Sequence, residues 1–166
     1  YDNLMHRFKF GGMKNPGVYI DETITRMGYT HRRLFAQLAT QLLKEGKKEK
    51  ALAVLDKCEE ELPSSILPHN YQSYSQAIAQ TYISLGQKEK GVAILKEMAD
   101  NDIEYLTWYI SLDDNRFNAS FSEVQNYLQT LVQSMRYMEK AADSDTFAHY
   151  SAQLDELYQA LNIKMQ

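Results

Sequence analysis

The histidines His6, His31, His69 and His149 lie far apart in the chain. None sits three or four residues from another, the spacing that puts two imidazoles on one helix face to hold zinc, so neither a metal nor any other cofactor is expected. Gly11-Gly12 lacks the following lysine and the preceding strand of a phosphate-cradling loop, and no nucleophile elbow is present. Glu22 with His31, or the pair Asp113-Asp114, could be assembled into an acid–base pair. Carboxylates at helix starts and turns are, however, ordinary caps of backbone N–H groups. Cys58 is the only cysteine, which excludes an internal disulfide and any multi-cysteine metal site. It falls on the apolar stripe of a helix, where a thiol packs as a small hydrophobe. These residues give no catalytic constellation, and binding is the expected role of the chain.

The elements that would position a binding surface are helical. Phe35, Leu38, Ala39 and Leu42 recur at three- and four-residue spacing, one face of a helix that Gly46 breaks. A second apolar face follows in Ala51, Leu52, Val54, Leu55, Cys58 and Leu62, and Pro63 cannot continue it. Two such helices joined by a tight turn lie antiparallel, and Ala39 and Ala51 are small enough to let the backbones approach to about 8–10 Å. The pattern returns forty residues on, with Ile78, Ala79, Tyr82, Gly86, Gly91 and Leu95 at the same internal spacing. Even the turns agree, LLKEGKKEKALAVL against YISLGQKEKGVAIL.

These landmarks resemble a tetratricopeptide repeat, with Leu42 and Leu55 in place of two aromatics and Cys58 in place of a second-helix alanine. The resemblance implies an all-α, α-α superhelix of two clear hairpins, about residues 32–65 and 72–105. A degenerate third spans 102–142, and a capping helix covers 145–161. The unit is 34 residues, so the forty-residue offset leaves about six extra residues, which Pro63-Ser-Ser-Ile-Leu-Pro68 supplies. Thr30 is expected to cap the first repeat helix, preceded by a short helix from Asp21 or Thr23, and Asn101 or Asp102 to cap a helix through Leu112. Ser120 or Ser122 would cap the next, with Val124, Tyr127, Leu131, Met135 and Met138 as its stripe. The final helix would bury Phe147, Tyr150, Leu154, Leu157, Tyr158 and Leu161. Residues 1–29 form an irregular lead-in whose Leu4, Phe8, Phe10 and Tyr19 would pack over the first hairpin.

That lead-in, with Tyr1-Asp-Asn-Leu-Met5, Phe8-Lys-Phe-Gly-Gly-Met13, Pro16, Val18-Tyr19, Asp21-Glu22 and Arg26-Met27, also resembles the segment after the last membrane helix in certain Bacteroidetes multipass membrane proteins. Those proteins carry a domain of unknown function distantly similar to protein O-mannosyltransferases and end in a tetratricopeptide-like tail. The resemblance implies a soluble tail of an inner-membrane protein, on the periplasmic side, with a cytoplasmic location as the alternative. The start at Tyr1 rather than methionine leaves room for an upstream region holding the targeting signal and any catalytic part.

Composition narrows the partners. The 166 residues carry a formal net charge of −4 with acids and bases interspersed, so no phosphate-tracking stripe or basic membrane face is expected. No apolar run approaches the length of a membrane span. In a tetratricopeptide stack the first helices of successive hairpins line a concave groove. Arg33, Ala36, Gln37, Thr40 and Lys44 would there meet Ser73, Gln76, Gln80 and Ile83, and the third hairpin would add Tyr105, Trp108 and Tyr109. Aromatics beside amide and arginine donors suit a protein or extended peptide, or a glycan acceptor. The competing reading of Trp108 and the tyrosines is core. Tetratricopeptide domains that hold a chaperone's C-terminal carboxylate carry lysine and asparagine where this chain has Ala36 and Thr40, so that ligand is not expected. The functions implied are a non-catalytic interaction scaffold or, alternatively, an accessory acceptor-binding part of a glycosyltransferase-like enzyme.

Overall fold

The computed structural model describes residues 1–165. It is all-α, with helices α1 (Glu22–Lys44), α2 (Lys48–Glu61), α3 (Ser75–Ser84), α4 (Lys88–Ser111), α5 (Asp114–Ala119), α6 (Phe121–Ala141) and α7 (Ser144–Lys164) and no strand among the described residues. The chain divides into two compact units, Tyr1–Gly91 and Val92–Gln166.

In the first unit α1 starts where the Asp21 carboxylate accepts a hydrogen bond from the Ile24 N–H at 2.8 Å. Thr30 does not cap a helix. It lies inside α1 with its hydroxyl donating to the Arg26 carbonyl one turn back, so the two helices expected on either side of it are one. Gly28, which would weaken an isolated helix, sits in this run because the Pro63–Pro68 linker crosses it. A Cβ there would come within 2.5 Å of Leu67 Cδ1 and 2.9 Å of Met13 Cε.

The two tight turns are built alike. Gly46 and Gly86 have φ of +73° and +82°, the left-handed geometry that glycine adopts without steric cost. After α1, Lys47 N–H bonds the Leu42 carbonyl and Gly46 N–H the Leu43 carbonyl; after α3, Gln87 bonds Tyr82 and Gly86 bonds Ile83 in the same pattern. This double bond pattern satisfies carbonyls that a helix end otherwise leaves open. Past the first turn α2 packs back along α1, with Ala39, Ala51, Val54, Leu55 and Cys58 fully buried, and it stops at Leu62 ahead of Pro63. α3 packs against α1 as well. At the second turn, a Cβ on Gly91 would fall 2.7 Å from the Ala79 carbonyl oxygen and 2.6 Å from Ile83 Cγ1. Glycine is what lets the start of α4 come that close.

The lead-in makes a short π-helical turn at Asn3–Arg7, buries Leu4, Phe10 and Met13, and sets the His31 ring edge-on to Phe8 and Phe10 at 5.9 and 5.6 Å. Tyr19 does not pack as expected: it is 87% exposed. Gly11 and Gly12, both left-handed, turn the chain after Phe10, and Met13 fills the space against Gly28. Phe8 stays partly exposed.

In the second unit the expected break at Asn101-Asp102 is absent, because α4 runs unbroken to Ser111 and Asp102 is buried within it. Asp113 instead caps the short α5 by accepting from the Arg116 N–H. Ser120 precedes α6 without a side-chain cap bond. Val124, Leu131, Met135 and Met138 of α6 are buried, as are Leu106, Phe117, Tyr150, Leu157 and Leu161; Tyr158, expected inside, is exposed. α7 starts with Asp143 accepting from the Thr146 N–H, and its last residue, Lys164, donates to the Leu112 carbonyl at 2.6 Å and the Asp114 carboxylate at 2.9 Å.

Candidate functional site

The largest fully buried side chain is Arg32, at 0% exposure on the same face of α1 as Phe35 and Ala39. Its Nη2 donates to the Leu62 and Leu67 carbonyls at 2.7 and 2.8 Å, and Nη1 reaches Pro68 O and Ser75 Oγ at 3.4 and 3.5 Å. The extra residues between the hairpins leave carbonyls that no helix or strand can satisfy, and one forked guanidinium answers them. Sequence reading missed Arg32 and chose Arg33. The signal was present, since Arg32 precedes Phe35 by three residues and Ala39 by seven, on the apolar stripe itself.

Beside it runs a polar chain. His69 Nδ1 lies 2.5 Å from Ser75 Oγ, and His69 Nε2 lies 3.2 Å from Glu59 Oε2. The order serine, histidine, carboxylate has the connectivity of a nucleophile with its base. Ser75 and His69 are nevertheless buried, and no substrate reaches the hydroxyl. Ser73, expected in the groove, belongs to this interior cluster: its hydroxyl donates to the Asn70 carbonyl at 2.7 Å and lies 2.6 Å from Ser75 Oγ. The cluster locks the linker onto α1 and α3.

The remaining first-unit candidates behave differently from one another. Gln37 and Lys44 are exposed, and Gln80 is half-buried. Thr40 donates to the Ala36 carbonyl and sits 3.3 Å from the Thr81 hydroxyl, joining α1 to α3 rather than facing solvent alone. Gln76 buries its amide nitrogen with no acceptor. Arg33 holds its guanidinium 5.6 Å from the ring centre of Tyr74, an exposed residue that sequence reading missed. Tyr74 has φ of +59°, a conformation costing a non-glycine residue about 1 kcal/mol or more, and nothing in the sequence marks it. A separate apolar cleft of about 280 Å³, bounded by Phe10, Met13, Val18, Ile24 and Met27, opens beside His31.

The acid–base pairings considered from sequence do not form. Glu22 pairs with Arg26, His31 lies among aromatic rings, Asp113 caps α5 and Asp114 pairs with Lys164. Among the described residues no three His, Cys, Asp or Glu side chains converge as a metal would require. Burial pushes the Cys58 thiol far up, which keeps it protonated and unreactive.

In the second unit the aromatic candidates form a continuous platform. Tyr105 and Tyr109, one turn apart on α4, both face Tyr127 of α6, with ring centres 4.8 and 6.0 Å away, and Trp108 packs on Tyr109 at 4.7 Å. Trp108 is 53% and Tyr105 41% exposed, so these rings are surface rather than core. Burial and the nearby Glu123 carboxylate push the Tyr109 hydroxyl up. No helix among the described residues is long and apolar enough to cross a membrane.

The described residues form an all-α protein with Gln37, Tyr74, Tyr105 and Trp108 exposed on its surface. Set against protein-family models, curated proteins and solved structures, the chain matches none.

Proposed function

We propose that this chain is a non-catalytic interaction module of tetratricopeptide type, built to hold a protein or extended peptide, and that it serves as the soluble tail of a larger membrane protein on its periplasmic side. The observation that supports this reading most is the matched construction of the turns at Gly46 and Gly86. Each has the same two carbonyl-closing bonds and a small residue, Ala51 or Gly91, five positions later. Repeated hairpins of that kind leave the first helix of each pair with one face for packing and one for a ligand. On α1 and α3 the outward side carries Arg33 with Tyr74, then Gln37 and Gln80.

The test is selection of displayed peptides on the intact protein, followed by titration of the winners against a variant carrying Arg33→Ala and Gln80→Ala. The variant should keep its helix content and melting temperature while losing at least tenfold in affinity. Unchanged affinity would show that α1 and α3 do not form the binding face. A second reading, an accessory acceptor-binding part of a glycosyltransferase-like enzyme, draws on the exposed Trp108 and Tyr105, whose flat faces also suit a sugar ring.

A further inference from the structure

We propose that the aromatic platform on α4 and α6 is a docking site for a cationic peptide segment, with a lysine or arginine side chain seated on Trp108 beside Glu104. Two independent features carry it. The first is exposure of large rings that a monomer gains nothing by leaving in water: Trp108 and Tyr105 flank the Tyr109–Tyr127 pair on one surface. Aromatic faces carry a negative quadrupole, and cations bind there more favourably once partly desolvated.

The second is charge. From Glu97 to Asn115 the chain has Glu97, Asp100, Asp102, Glu104, Asp113 and Asp114 and no lysine or arginine, and α6 has none from Phe121 to Met135. Some of these acids are accounted for within the fold. Asp100 accepts the Tyr150 hydroxyl, Asp102 is buried, Asp113 pairs with Arg116 and Asp114 with Lys164. Glu104 is exposed and lies one helical turn before Trp108, where side chains share a face. Glu123 is close enough to act on Tyr109. Glu104 therefore places a negative charge beside the exposed face of Trp108, complementary to a basic chain and repellent to an acidic one.

The proposal rests on the interaction-module reading but concerns only the second unit, so the Arg33→Ala, Gln80→Ala variant serves to separate the two. Trp108 is the only tryptophan, which makes its fluorescence a reporter placed at the site. The intact protein is titrated at low salt with octalysine, octaarginine, octaglutamate and a neutral mannose oligosaccharide. The expected result is a saturable change with the two basic peptides only, weakened at least threefold by Glu104→Gln and unaffected in the α1–α3 variant. Glu139→Gln, on α6 roughly 18 Å along the helix from Tyr127, should leave affinity unchanged. Equal weakening by both glutamate variants would mean diffuse attraction to an acidic protein and overturn the proposal. So would a response to octaglutamate, no response to either basic peptide, or a response to the oligosaccharide alone, which would favour the acceptor-binding reading. If the platform responds as expected while the α1–α3 variant binds selected peptides as tightly as the parent, the first-unit site fails and this one stands.

Discussion

Replacing Asp102 with asparagine should stabilise the second unit, and by an amount that depends on pH. Asp102 lies in the middle of α4 at 0% exposure, both carboxylate oxygens are buried without a hydrogen-bond partner, and desolvation pushes its pKa up to about 8. In the unfolded chain the same group titrates near 3.8. Between those values the folded protein holds a proton that the unfolded chain has released, so stability falls as pH rises through that window. The penalty is absent below about pH 4 and complete above about pH 8. Each unit of difference is worth about 1.4 kcal/mol, which sets a ceiling of about 5–6 kcal/mol over the whole window. Relaxation and water entry reduce this in practice, since buried charges in proteins cost several kcal/mol rather than the ideal amount. Asparagine keeps the shape of the protonated acid and cannot ionise.

The assay is urea unfolding followed by the fluorescence of Trp108, six residues along the same helix, for the parent and Asp102→Asn at pH 5 and pH 8. The variant's advantage should be small at pH 5 and should grow by 2 kcal/mol or more at pH 8. Groups common to both proteins cancel in that difference. An advantage that is the same at both pH values would refute the buried, neutral carboxyl.

Gly91→Ala should lower the melting temperature even though alanine is the better helix former by about 1 kcal/mol, because overpacking costs about 1–3 kcal/mol and the new Cβ would meet the Ala79 backbone at 2.7 Å. A rise in melting temperature would show that α3 and the start of α4 are not in that contact. Arg32→Met removes the donors to the Leu62 and Leu67 carbonyls and should cost about 2–5 kcal/mol, with faster limited proteolysis between residues 63 and 70. Arg32→Lys should rescue only part of this, since an ammonium cannot span the same acceptors as a fork. Full rescue by lysine would contradict that reasoning.

Much of the first unit was legible because its signals are local. Gly46 and Gly86 announce left-handed helix ends by their own lack of a Cβ, Asp21 can cap wherever three N–H groups lie ahead of it, and the spacing of Phe35, Ala39 and Leu42 fixes a face before anything packs on it. The aromatic set Tyr105, Trp108 and Tyr109 was visible for the same reason, although periodicity could not say whether it was core or surface. The breaks foreseen at Thr30 and at Asn101-Asp102 failed because serine-like and acidic residues cap a helix only where the backbone has already stopped. Inside a helix Thr30 simply bonds back one turn.

What only the tertiary structure decided is which partners distant residues meet. Arg32 and Arg33 are neighbours of one type, yet one is sealed among linker carbonyls and the other lies on a tyrosine face, because α1 turns successive residues by about 100°. Ser73 went inside with His69 and Ser75, Lys164 found Leu112 and Asp114, and Asp102 was buried with no partner for its carboxylate. A sequence states each residue's own geometry and charge. Burial and pairing depend on where chain far removed along the sequence comes to rest, and that is settled only when the helices pack.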